Sequence, residues 1–204
     1  MTTQSDRILA AVEAAEHGSE AFALPKTRLS IALDGFITVV GKAVSWLWPI
    51  LILVIIANVV LRYVFNLGLI VFEELQWHIY AIGFMIGLSF AVVRDRHVRV
   101  DALSERMSVR TRAWIELIGL GVFLLPFCVF VVIKAWPFVL TAWETGEVSI
   151  APGGLGHRWA IKSVIIVAFA LLIVAAVSRI SRVTALLFGF PKSLPYEDRG
   201  DTAS

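Results

Sequence analysis

Residues 43–61 read AVSWLWPILILVIIANVVL, nineteen positions without a formal charge. A helix that crosses ~30 Å of hydrocarbon needs about 20 mostly apolar residues, and this run supplies them. It is continuous rather than alternating, so it predicts a helix and not a barrel strand. Three more windows follow the same rule. Leu75–Val93 is uncharged if His78 is neutral. Leu117–Ile133 is an uncharged core whose apolar character continues past Lys134 to Trp143. Ser163–Ser178 is the core of a fourth window that begins near Trp159. The fold class is therefore an all-α membrane protein with four transmembrane helices and short loops, the spans lying at about 43–61, 75–93, 113–136 and 159–178.

Composition agrees. Hydrophobic residues make up 58% of the 204 residues and charged residues 17%, against about 45–50% and about 25% in soluble domains. Mean hydropathy is +0.82. A chain this small cannot hide so much apolar surface from water, so part of its solvent is lipid. Cys128 is the single cysteine, which rules out a disulfide scaffold. A net charge of +2 is too small to argue for nucleic acid, and no nucleic-acid partner is expected. The 7 Trp and 13 Phe suit a protein with interfacial anchors.

Lys and Arg in short loops set the orientation. Arg94, Arg96, Arg99, Arg106, Arg110 and Arg112 lie between the second and third spans. Lys26, Arg28 and Lys42 precede the first, and Arg179, Arg182 and Lys192 follow the fourth. Both termini and the middle loop are thereby assigned to the cytoplasm, and the loops around 62–74 and 144–158 to the outside. Residues 1–34 read as a cytoplasmic tail in which Ile8, Leu9, Val12 and Ala15 can share one face of a short helix. Residues 35–190 form the membrane domain, and 191–204 a flexible tail. Residues 1–30 lack the long apolar core of a signal peptide. From Ala113 to Trp143 a continuous helix would measure about 46 Å, longer than the membrane core, with Pro126 and Pro137 as bend points. Glu144 to Gly156 is rich in turn residues. Val183–Phe190 is expected along the inner surface until Pro191 stops it.

Few residues offer chemistry. Asn58 and Arg62 share a helical face at the end of the first span, beside Tyr63. Arg62 can anchor in headgroups, or pair across the short outer turn with Glu73 or Glu74. Those two acids diverge by about 100° on a helix, so they do not converge on a substrate as a catalytic pair. Gly83, Gly87 and Ala91 make a small-residue stripe that lets another helix approach, from this chain or a partner. Glu116 lies one turn after Arg112, and pairing or headgroup water would satisfy it. Lys162, one turn after Arg158, can snorkel. His78 and His157 raise bis-His haem, but there is no clustered metal-ligand spacing and no phosphate-binding glycine loop. The spans hold almost no buried charge and no paired broken helices of the kind that build a transport site. No enzyme activity and no cofactor are expected. The chain reads as a subunit, anchor or scaffold.

The stretch from Asn58 to Asp101 resembles the small membrane subunit, DctQ-like, of tripartite ATP-independent periplasmic (TRAP) transporters. The matching features are Asn58, then Arg62-Tyr63 and Phe65, then Glu73-Glu74-Leu75. Gly83 and Gly87 follow, and then Arg94, His97, Val98, Arg99, Val100 and Asp101. The Pro-Gly-Gly-Leu stretch at 152–155, before Arg158-Trp159 and Lys162, looks like the variant with an extended outer loop. The resemblance covers roughly residues 35–190.

That resemblance implies ion-gradient-driven uptake of an organic acid across the bacterial inner membrane. A periplasmic substrate-binding protein captures the acid, and a large membrane subunit carries the substrate and ion sites. The small subunit packs on the large subunit's fixed scaffold within the lipid bilayer. On this reading Asn58, Arg62, Tyr63, Glu73, Glu74, Gly83, Gly87, Arg94, His97 and Asp101 are structural or interface positions. The alternative is a membrane anchor for a redox enzyme, with His78 and another histidine on haem.

Overall fold

The computed structural model describes residues 24–93 and 107–191. Positions 1–23, the stretch with Arg94, His97 and Asp101, and the tail from 192 lie outside them. Six α-helices and one π-helical segment make up four candidate membrane spans, Arg28–Tyr63, Ile70–Val93, Val109–Glu144 and Arg158–Phe188. Each reaches beyond its apolar window at one end or both.

The first span is two helices, α1 (Arg28–Ser45) and α2 (Leu47–Tyr63), that meet at Trp46. Pro49 lies in the first turn of α2, where the missing N–H would find no intrahelical acceptor anyway. It cannot serve the carbonyl of Ser45, which accounts for the break there. The early start at Arg28 has a local cause. Thr27 Oγ1 accepts from the Ser30 N–H at 3.1 Å, and Ser30 Oγ accepts from the Thr27 N–H at 3.0 Å. This reciprocal cap satisfies two donors at the helix start.

The second span is α3 (Ile70–Val93), with Glu73 in its first turn. The third comprises α4 (Val109–Ile118), a π-helical stretch Gly119–Leu124, and α5 (Leu125–Glu144). Ser108 caps α4 by accepting from the Thr111 N–H. The wide turn ends two residues before Pro126, whose ring would collide with the carbonyl four residues back in a regular helix. Pro137 lies inside α5. The fourth span, α6, runs unbroken over Arg158–Phe188 and stops at Gly189, whose φ is 69°. The expected surface-lying segment from Val183 is therefore a continuation of α6. Its apolar residues are occupied: Val183, Leu186 and Leu187 are buried with Leu24, Val109 and Ala113.

The described residues fall into two compact units. One draws on residues 24–35, 107–126 and 175–191, the other on residues 36–93 and 127–174. The first holds the apolar cluster just named and a polar network around the end of α6. Ser181 Oγ meets Thr27 Oγ1 at 2.8 Å, and Ser178 Oγ donates to Asp34 at 2.5 Å. Arg182 lies 3.7 Å from Asp34 and donates to the Leu24 carbonyl at 3.2 Å. Arg179 pairs with Glu116, both side chains largely buried. In the second unit α2 packs against α3, and Ile86, Ala168 and Leu171 form an apolar cluster joined by Val40, Val44 and Ile82.

Candidate functional site

The acids at the start of α3 have separate partners. Glu73 Oε1 lies 3.3 Å from Arg62 Nη1, with both side chains substantially exposed at 47% and 59%. Glu74, turned by one residue, reaches the loop between α5 and α6. Its Oε1 accepts from Ser149 Oγ, and its Oε2 accepts from the Leu155 N–H at 2.6 Å. His78 Nδ1 lies 2.5 Å from the Glu74 carbonyl oxygen, one turn back on the same helix. Asn58 is half-buried in α2 and Tyr63 is exposed.

The loop that Glu74 grips has its own frame. At the end of α5, Gly146 takes a left-handed φ of 59°. Its N–H bonds the Trp143 carbonyl, and the Glu147 N–H bonds that of Ala142. These paired bonds use carbonyls that the last helical turn would leave open. Glu147 then receives Lys162 Nζ, with Arg158 Nε at 3.9 Å. Lys162 also lies over the Phe138 ring at 3.9 Å. The expected snorkelling lysine is thus an interior partner, its side chain 15% exposed. Gly154 makes the grip on the loop possible. A Cβ there would stand 2.6 Å from Ser149 Cβ and 2.9 Å from Glu74 Oε1.

Sequence reading saw turn chemistry at residues 144–156 and a pair of acids at 73–74, and did not connect them. No local spacing could have done so, because 75 and 81 residues separate Glu74 from its two donors. The available signal is an acid near the end of each outer helix, Glu74 and Glu147, with the two bases Arg158 and Lys162 beyond the loop.

The glycine stripe lies beside an apolar groove of ≈ 300 Å³ lined by Gly41, Val44, Trp48, Gly83, Gly87 and Phe90 among others. Its glycines differ. A Cβ at Gly83 would make ordinary contact with Trp48 at 3.5 Å, and one at Gly87 would meet nothing within 4 Å. The tight position is Gly41, where a Cβ would overlap the Phe90 ring. No local pattern marks Gly41, because the ring it meets, Phe90, lies on a different helix. Arg94, His97 and Asp101 lie outside the described residues.

Glu116, for which local spacing nominated Arg112 or water, meets Arg179. Among the described residues no group of three or more His, Cys, Asp or Glu could hold a metal ion. Among the described residues the arrangement is a set of interhelical clamps, and the acids Glu73, Glu74, Glu116 and Glu147 each have a separate partner.

A family model described as tripartite ATP-independent periplasmic transporters, DctQ component, matches residues 51–186, about two thirds of the chain. The matched stretch contains Asn58, Arg62, both acids of α3 and the clamped outer loop. It begins after Gly41 and the Thr27 cap. No curated relative and no solved structure matches the chain.

Proposed function

The chain belongs to the DctQ family, the small membrane component of TRAP transporters, and from that premise we propose that it is a scaffold for the large permease subunit. In this reading it resides in the bacterial inner membrane with both termini in the cytoplasm. It widens the part of the complex that stays still while the large subunit moves an organic acid, delivered by a periplasmic binding protein, at the expense of an ion gradient. It is not itself an enzyme.

The observation that carries the reading is how little of the apolar helices the chain covers by itself. Only 6% of the apolar window is buried in the first span and 6% in the third, against 28% and 22% in the other two. In lipid such surface serves packing against other helices as well as contact with acyl chains. The clamps on Glu74 and Glu147 support the same view, because they stiffen the subunit without forming a substrate site. Co-expression with the large subunit tests it. The two chains should co-purify in mild detergent, and uptake in proteoliposomes should require both together with the binding protein. A large subunit that transports fully without this chain would refute the scaffold role. The orientation is tested by labelling in intact cells, in a Cys128-free background. Ile150→Cys, at a position 95% exposed, should react with an impermeant maleimide and Ser104→Cys should not; the opposite pattern inverts the topology.

A further inference from the structure

Lys134 is a cation in the interior of a membrane-spanning helix and faces outward from the chain. It lies on α5, nine residues before Trp143, which is about 13 Å along the axis at ~1.5 Å per residue. Trp143 meets Trp159 edge to face at 4.5 Å, the kind of aromatic pair that marks a membrane boundary. Side chains on a helix lean toward its N-terminus. Lys134 does so: its Nζ lies 5.8 Å from the centroid of the Phe130 ring, one turn back and away from Trp143. The ammonium is thus directed away from the nearer boundary, the reverse of snorkelling.

The chain shows how it treats a lysine in a span when its own residues can reach. Lys162 sits over the Phe138 ring and pairs with the Glu147 carboxylate, its side chain 15% exposed. Lys134 has the ring alone. It is exposed, and no carboxylate pairs with it among the described residues. Its surroundings on that face are also outward: Phe130 is 58% and Ile133 60% exposed. Pro137, next on the same stripe, has no N–H to offer the Ile133 carbonyl. A cation and a carbonyl without its intrahelical donor therefore share a stripe that is otherwise apolar. Ionisable groups at such depth turn toward a protein partner or a water-filled cavity.

We propose that this face of α5, Phe130–Ile133–Lys134–Pro137, is where a transmembrane helix of the large permease subunit docks, with a carboxylate on that helix pairing with Lys134. Charge complementarity selects the occupant. An acyl chain leaves the cation unpaired, and a headgroup phosphate lies toward the boundary from which the ammonium is directed away. The proposal rests on the scaffold reading and adds to it the contact face and the chemistry of the partner.

The test uses the co-expressed complex in mild detergent. A benzophenone amino acid at position 133, replacing Ile133, should form an adduct with the large subunit on illumination. Lys134→Met and Lys134→Glu should each lower recovery of the large subunit by at least about tenfold, because a carboxylate is left buried without its cation. Lys134→Arg should keep most of it. Thermal stability of the Met variant purified alone should be unchanged or higher, which separates lost docking from misfolding. Adducts with lipid only, or wild-type recovery with Lys134→Met, would each overturn the proposal while leaving the scaffold role intact. If the wild-type chain brings down no large subunit, the scaffold reading itself fails.

Discussion

Leu155 gives its backbone N–H to Glu74 Oε2 at 2.6 Å, across 81 residues of sequence. Together with Ser149 on the other carboxylate oxygen, this bond ties the outer loop to the start of α3. Both acceptor positions are used, so the amide of Glu74→Gln presents a donor where a donor already stands. The substitution should therefore release one of the two contacts. Hydrogen–deuterium exchange over residues 149–157 is expected to speed up several-fold in Glu74→Gln and to stay unchanged in Glu73→Gln. Equal protection in both variants would show that the loop is held by its own backbone bonds and by Glu147.

Arg62 and Glu73 show how exposure limits the value of a pair. The contact is a single Nη1–Oε1 approach of 3.3 Å between side chains that are 59% and 47% exposed. Such pairs contribute about 0–1 kcal/mol. The bidentate fork that would make lysine a poor substitute is not what the geometry displays. Arg62→Lys should shift the unfolding midpoint of the detergent-purified subunit little, within ~1 kcal/mol. A larger loss in the isolated subunit would mean that the guanidinium has partners beyond Glu73. A loss seen only in the assembled complex would place it at the interface.

The number of spans and their apolar cores were legible because lipid leaves the backbone no other way to bond, so each span must be written around a long uncharged run. What packs those runs was not. The Thr27–Ser181 contact, the Asp34–Ser178 bond and the Glu116–Arg179 pair depend on side chains from distant segments meeting in space. A serine or an arginine at a span end reads equally well as an interfacial anchor. The same ambiguity hid the outer loop, whose glycines announce turns and give no sign that a carboxylate from α3 enters among them. Arg62 and Glu73 were readable as neighbours because the loop joining their helices is short.

The glycines of the groove separate contacts within the chain from contacts with a partner. A methyl group at Gly41 runs into Phe90, whereas one at Gly87 meets open space. Gly41→Ala is therefore expected to destabilise the isolated subunit by about 1–3 kcal/mol through overpacking, unless the ring swings aside. Gly87→Ala should leave its thermal unfolding unchanged. Gly87→Leu, also mild in isolation, should reduce co-purification with the large subunit if a partner helix enters the groove. Full recovery with Gly87→Leu would assign the groove to lipid.

Glu116 and Arg179 are the pair on which stability should depend most. Their side chains are only 15% and 5% exposed, and they join α4 to α6 in the first unit. Removing one member of a buried pair leaves the other charge in a poor solvent, a loss of roughly 3–5 kcal/mol. Removing both and filling the space with apolar groups is often far milder. Glu116→Gln and Arg179→Met should therefore each lower the unfolding midpoint strongly in detergent, and the double variant should lose less than the two singles added together. The four proteins form a double-mutant cycle, read by thermal unfolding of the purified subunit under one detergent condition. Additive losses would mean that the two side chains are stabilised by separate neighbours. Sub-additive losses with a well-folded double variant would identify the pair as one unit, which sets the register of α6 against α4 and holds Trp114 against Phe188, whose rings meet edge to face at 5.7 Å.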